Sequence, residues 1–215
     1  MKRGFFITVE GIEGVGKSTN LALIESWLKE RAVSVRMTRE PGGTPLAEEI
    51  REILLRPRDE TMDEKAELLM VFAARAQHLS QVIQPSLASG DWVVSDRFTD
   101  ATYAYQGGGR GMDVAFIGLL ESEVQGSLRP DAVFMLDAPY AISQQRVQGR
   151  GEGKDRFEQE HEAFFNATRA QYLARAEVQP ERYQIIDATQ PLAQVQQQII
   201  AGLEQLFEQW QRQHD

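Results

Sequence analysis

Gly11-Ile12-Glu13-Gly14-Val15-Gly16-Lys17-Ser18 matches the pattern G-x-x-x-x-G-K-[ST] at every fixed position. The apolar run Phe5 to Glu10 precedes it, and a segment of helical period with Leu21, Ile24, Trp27 and Leu28 on one stripe follows. A strand, a glycine loop and a helix in that order form an anion cradle, because the glycines let successive N–H groups and a helix amino terminus converge on one phosphate. In such a loop Lys17 reaches the β and γ phosphates of a nucleoside triphosphate, and the Ser18 hydroxyl is a Mg²⁺ ligand. Gly11, Ile12, Glu13, Gly14, Val15, Gly16, Lys17, Ser18 and Thr19 are the candidate nucleotide contacts. The loop by itself leaves motor, switch and kinase open.

Outward from the loop, short apolar runs alternate with helical stretches, the pattern of βαβ units around a parallel sheet. Five runs read as strands: Phe5 to Glu10, Val33 to Thr38, Trp92 to Ser95, Ala132 to Asp137 and Tyr183 to Asp187. Most lack polar alternation, so helices are expected on both faces of a five-stranded α/β sheet. Leu192, Val195, Ile199, Leu203, Leu206 and Trp210 recur at steps of three and four and read as a core stripe. Pro45 and Pro191 stand near helix starts, where a missing N–H costs nothing. Gly149 to Arg156, rich in glycine and charge, reads as a mobile flap inside one domain spanning 1–215 rather than as a boundary.

With 42% hydrophobic and 26% charged residues, the 215-residue chain can build one sizeable core. A net charge of −9 argues against a general nucleic-acid surface and directs attention to local clusters of arginine. The absence of cysteine removes disulfides and thiol catalysis and fits a reducing cytoplasm. No window approaches the ~20 apolar residues of a membrane-spanning helix.

Further motifs follow in order: Thr38-Arg39-Glu40-Pro41-Gly42-Gly43-Thr44, Asp96-Arg97-Phe98, and Ala104-Tyr105-Gln106-Gly107-Gly108-Gly109-Arg110. Together with the loop they resemble the bacterial thymidylate kinases, from the first strand to Asp187-Ala188-Thr189-Gln190-Pro191. That resemblance implies a P-loop nucleoside monophosphate kinase fold with a lid at about 146–157, a homodimer, ATP and Mg²⁺, and dTMP as phosphoryl acceptor. Asp96 and Arg97 end an apolar strand at the sheet edge where open parallel sheets bind ligands. An Asp there can hold Mg²⁺ through water and an Arg can clamp a phosphate; the resemblance gives Arg97 the phosphate of dTMP.

Arg75 falls on the apolar stripe of a helix read from about Met62 to Ala88, beside Leu68, Phe72, Leu79 and Val82. It is either an ion-paired core arginine or, as the resemblance implies, a donor to the thymine carbonyl edge. Family members commonly stack an aromatic on thymine from four residues before this Arg. Here that position is Val71 and the neighbouring residue is Phe72, so the stacking ring is Phe72 turned inward or lies elsewhere. By the same likeness Thr102 and Gln106 touch the base and Tyr105 abuts the sugar; Arg39 and Arg51 complete the candidate acceptor contacts.

Glu13 is an acid among phosphates, and the resemblance puts it near the acceptor 3′-hydroxyl and the metal's water. Other members carry an Arg just after it, where this chain has Gly14. The cation that stabilises the transferring group is then sought in the flap, among Arg146, Arg150, Lys154 and Arg156. Arg150 is the candidate catalytic cation and Arg146 the candidate adenine contact. A GTP-binding switch would carry N-K-x-D, which is lacking, whereas a kinase for another nucleoside monophosphate fits the same scaffold. The loop lysine should matter most to the moving phosphoryl: Lys17→Ala is expected to lose most turnover while remaining folded by circular dichroism, and turnover within about threefold of the parent would remove the loop from catalysis.

Overall fold

The structure is a computed structural model describing residues 3–149 and 155–214. Its centre is a five-stranded parallel sheet in the order β2-β3-β1-β4-β5, with β1 at Phe6–Glu10, β2 at Val35–Arg39, β3 at Trp92–Asp96, β4 at Ala132–Asp137 and β5 at Tyr183–Asp187. All five expected strands are present. The unbroken apolar runs of β1, β3 and β4 occupy the buried middle positions, as strands covered on both faces should, while β2 and β5 are partly exposed edges.

Residue alternation sends successive side chains to opposite faces. Ile7, Val9, Trp92, Val94 and Phe134 pack on the face that carries α1 (Lys17–Glu30) and the carboxy-terminal helix. Phe6 and Val93 point the other way, onto Leu79, Ile83 and Leu87. That second face is covered by a helical run expected as one piece from Met62 to Ala88. It is α3 (Glu64–His78), a π turn at Leu79–Ile83 and α4 (Gln84–Ala88). The widened turn lies just ahead of Pro85, which has no N–H to donate and whose ring crowds the preceding turn.

Between β2 and α3 lies α2 (Pro45–Leu55), with Pro45 in its first turn and the Thr44 hydroxyl accepting from Ala47 N at 3.2 Å. After β3 come α5 (Thr99–Thr102), a π-helical segment Tyr103–Gly109 and α6 (Val114–Gln125). After β4 come α7 (Tyr140–Gln148) and α8 (Glu162–Val178), and α9 (Leu192–His214) follows β5. Of the α9 stripe, Val195, Ile199, Leu203 and Leu206 are buried, but Leu192 in the first turn is 53% exposed.

The chain leaves β1 toward β2 on one side of the sheet and leaves β3 toward β4 on the other, so the connections reverse between the adjacent strands β1 and β3. The carboxyl ends of β1 and β3 therefore open the crevice in which such sheets bind ligands. The glycine loop and the Asp96-Arg97-Phe98 turn both leave the sheet there.

Candidate active site

Two adjoining cavities lie at these strand ends. One is polar and lined by Lys17, Ser18, Arg39 and Asp96 among others; the second is largely apolar and lined by Val71, Arg75, Phe98, Thr102, Tyr105 and Gln106. Glu13, Glu40, Arg51, Arg97 and Asp155 line both, so the two communicate.

In the polar cavity the loop is shaped by positive backbone angles at Gly11, Gly14 and Gly16, and Lys17 Nζ donates to the carbonyls of Gly11 and Ile12 at 3.0 Å each. Burial and then Arg97 push the Lys17 ammonium down to about 8, against the opposing pull of Asp96, Glu13 and Glu10. Burial, with Arg39 and Arg97 close by, also lowers Arg51, whose Nη1 donates to Pro41 O at 2.8 Å. Lys17, Arg39, Arg51 and Arg97 thus line one cavity together with the carboxylates of Glu13, Glu40, Asp96, Asp155 and Glu158. Arg39 is half exposed and paired in bidentate fashion with Glu48, at 3.1 and 2.7 Å. Asp96 Oδ1 is buried without a hydrogen-bond partner among the described residues. Asp96 and Ser18 share this cavity, and no cluster of three or more His, Cys, Asp or Glu that could hold a metal occurs among the described residues. That donor set suits Mg²⁺, which takes one or two protein oxygens and fills the rest of its shell with phosphate and water. Thr19, read as a nucleotide contact, is exposed in the first turn of α1 and lines neither cavity.

Arg97 stands where the cavities meet. Its Nη2 donates to Glu13 Oε1 at 2.7 Å, to Tyr105 OH at 2.8 Å and to Gly11 O at 3.2 Å, while its Nε is buried with no partner among the described residues. Tyr105 in turn donates to Glu13. Burial pushes the Glu13 carboxyl up, but Arg97, Lys17 and the Tyr105 hydroxyl outweigh it and hold it below its ordinary value. Glu13 is thus an ionised anchor for Arg97.

Arg75 is an ion-paired core arginine that also borders the apolar cavity. It is 1% exposed; Nε donates to Glu40 Oε2 at 2.7 Å, and Nη2 donates to Thr102 Oγ1 at 2.8 Å and Phe98 O at 3.3 Å. Its Nη1 has no partner among the described residues, and the residue lines the apolar cavity. Glu40 also accepts from His78 Nδ1 at 3.0 Å, which leaves His78 Nε2 to accept from the Thr38 hydroxyl at 2.6 Å. Gln106 Nε2 donates to buried Glu67 Oε1 at 2.8 Å. An amide whose nitrogen is committed in this way offers a ligand its carbonyl oxygen.

Phe72 does not turn inward. It packs with Leu68, Tyr103 and Ile117 and lines neither cavity, because adjacent helical residues point about 100° apart and Val71 takes the cavity side. Its ring lies 4.9 Å from the Arg75 guanidinium. The aromatic walls of the cavity are Phe98, Tyr105 and Phe157.

The absence of a side chain after Glu13 has a steric cause. Gly14 has φ +80°, and a Cβ there would lie 2.2 Å from the Ser143 carbonyl of α7. Of the flap cations, Arg146 Nη1 donates to Ala188 O at 2.9 Å. Arg156 is turned from the phosphate cavity: Nε donates to Leu54 O at 2.8 Å, its amide to Leu55 O at 3.0 Å, and Nη2 to Glu67. Arg150 and Lys154 lie outside the described residues.

Glu10, Glu40, Glu67 and His78 escaped the sequence reading. A signal for two of them exists: Glu67, Val71, Arg75 and His78 follow one another at steps of four, four and three, a second helical stripe beside Leu68 and Phe72.

A family model described as Thymidylate kinase matches residues 9–199. A thymidylate kinase of Teredinibacter turnerae is 60% identical, over 94% of this chain and 98% of its own. One from Pseudomonas entomophila is 58% identical, over 95% and 97%. The crystal structure of thymidylate kinase from Ehrlichia chaffeensis superposes with a TM-score of 0.76 at 32% identity, covering 94% of this chain and 99% of that one. With the phosphate loop, the strand-end aspartate and arginine, and the buried arginine of the second cavity in one crevice, the chain belongs to the thymidylate kinase family.

Proposed function

We propose that the chain transfers the γ-phosphoryl group of ATP to the 5′-phosphate of dTMP, giving dTDP and ADP, in one domain with a lid at about 146–157. The observation that carries the acceptor assignment is Arg75 Nη1, a buried charged donor without a partner among the described residues, beside a cavity. Such a donor is costly unless a ligand supplies an acceptor, and the 4-carbonyl of thymine is one. The Gln106 carbonyl complements it as an acceptor for the ring N–H.

The family likeness supports the remaining roles. The phosphate loop with Lys17 holds ATP, Arg146 lies against the adenine end, and Arg97 and Arg51 take the acceptor phosphate between the cavities. Ser18 and Asp96 would hold Mg²⁺, which when bound neutralises charge on the phosphates. The acceptor phosphate is already ionised at neutral pH, so no general base is needed and catalysis is positioning plus charge neutralisation. With Arg156 committed to Glu67, Arg150 is the flap cation assigned to the transition state.

We further propose a homodimer in the cytoplasm. Leu46 and Ile53 of α2, Leu69 of α3, and Val114 and Leu119 of α6 are exposed apolar side chains that a second copy would cover. No helix among the described residues is long and apolar enough to cross a membrane. Sedimentation equilibrium in the micromolar range should read a dimer, and a monomer mass throughout would remove that part of the proposal.

An arginine donor facing the amino group of cytosine leaves two donors unpaired. The enzyme is therefore expected to reject dCMP by at least roughly 10³ in kcat/KM and to accept dUMP, which lacks only a methyl, about tenfold to a few hundredfold less well than dTMP. Arg75→Ala should narrow the dTMP to dCMP gap with circular dichroism unchanged; an unaltered ratio would take Arg75 out of the base site. Arg150→Ala should cut kcat by on the order of 10³ while leaving KM for dTMP near the parent value. Near-normal turnover in Arg150→Ala, Arg146→Ala and Arg156→Ala alike would end the flap hypothesis.

A further inference from the structure

We infer that Glu10, the last residue of β1, is a positioning residue for phosphoryl transfer, acting by holding Arg97 in the backbone conformation from which its guanidinium reaches the junction of the two cavities. The inference rests on the reading of Arg97 as an acceptor-phosphate contact. Arg97 has φ +68°, in the left-handed region that a residue with a Cβ enters only when its surroundings hold it there. Three hydrogen bonds do so. Arg97 N donates to Val9 O at 3.0 Å, and Arg97 O accepts from Ser95 Oγ at 2.6 Å. The next amide, Phe98 N–H, donates to Glu10 Oε1 at 2.7 Å.

The carboxyl is fixed at its other end as well, since Oε2 accepts from Tyr172 OH of α8 at 2.9 Å. Glu10 is 0% exposed and lines neither cavity, so any effect it has on the reaction passes through the turn it holds. The side-chain contacts of Arg97 to Glu13, Tyr105 and Gly11 all depend on the direction in which that turn launches its Cβ. Relaxation of φ to the ordinary negative range would carry the guanidinium away from them.

Burial and then Asp100 push the Glu10 carboxyl up to about 8, against the Tyr172 hydroxyl, Arg97 and the Phe98 amide. Near neutral pH a glutamine therefore matches it in shape and charge: Oε1 accepts from Phe98 N and the amide nitrogen faces the Tyr172 oxygen. Glu10→Gln is the conservative control and Glu10→Ala the deletion.

Both variants, each made in the parent and in Arg97→Ala, are compared by kcat/KM for dTMP. Glu10→Ala is expected to lose roughly 10²-fold in the parent, the scale of a misplaced catalytic contact, and less than about threefold in Arg97→Ala, where nothing remains to position. Glu10→Gln should stay within about threefold of its background in both. Equal losses from Glu10→Ala in the two backgrounds, no loss in the parent, or a Glu10→Gln as impaired as Glu10→Ala would overturn the inference. Should Glu10→Ala fail to fold, Ser95→Ala releases the same turn from its other side: a loss confined to the parent background supports the inference, and equal or absent losses overturn it. Arg97→Ala within about threefold of the parent would instead remove the reading of Arg97 itself, and the inference with it.

Discussion

At Arg97 the chain turns out of β3 with φ +68°, and the guanidinium launched by this turn joins the glycine loop to the apolar cavity through Gly11 O, Glu13 and Tyr105. A left-handed non-glycine residue costs of order 1–3 kcal/mol. That cost is offset by bonds supplied from β1 on one side and from Ser95 on the other. The parallel pairing of β1 with β3, in which Val9 stands opposite Asp96, is what brings those partners within reach. A shift of one residue in that register would separate Glu10 from Phe98 and leave the arginine without its contacts. The geometry of the site is thus a consequence of the register in the middle of the sheet.

A second constraint is electrostatic. Arg75 and Glu40 form an ion pair at 1% and 4% side-chain exposure, extended by His78 and Thr38. Removing one partner of such a pair typically costs 3–5 kcal/mol, because the other charge remains buried. The guanidinium is also aligned by hydrogen bonds to two segments, Glu40 after β2, and Phe98 and Thr102 after β3. Gly43 belongs to the same arrangement: a Cβ there would lie 2.4 Å from His78 Nε2. The Glu-Pro-Gly-Gly segment is therefore shaped by the packing of α3 beneath it as well as by the ligand cavities.

The sheet was legible because three central strands are unbroken apolar runs and the loop motif names its own flanking elements. The polar cavity was legible for a related reason: Asp96 and Arg97 stand at the end of β3, while Lys17 and Ser18 open the helix after the glycine loop that leaves β1. What periodicity did not reveal was which of two adjacent stripes on α3 faces the ligand. Phe72 and Val71 both satisfy an apolar helix face, and only the packing of Tyr103 and Ile117 decides that the larger goes to the core. Buried carboxylates such as Glu10 and Glu67 were missed because their partners lie far away in sequence. Phe98, Gln106 and Arg156 become neighbours of these acids only through the tertiary fold. Leu192 shows the converse error, a periodic position left in solvent because its helix begins before reaching the core.

Glu67 sends one carboxylate oxygen to the amide of Gln106, which lines the apolar cavity, and the other to Arg156, and it also faces Arg110 at 3.5 Å. A buried acid shared in this way couples positions 67, 106, 110 and 156. An apolar residue at 67 would take a partner from all three side chains at once, and a neutral amide there would have to choose among them. Sequences that alter residue 110 or 156 are consequently expected to alter residue 67 or the cavity residue at 106 as well, so that these positions drift together rather than independently.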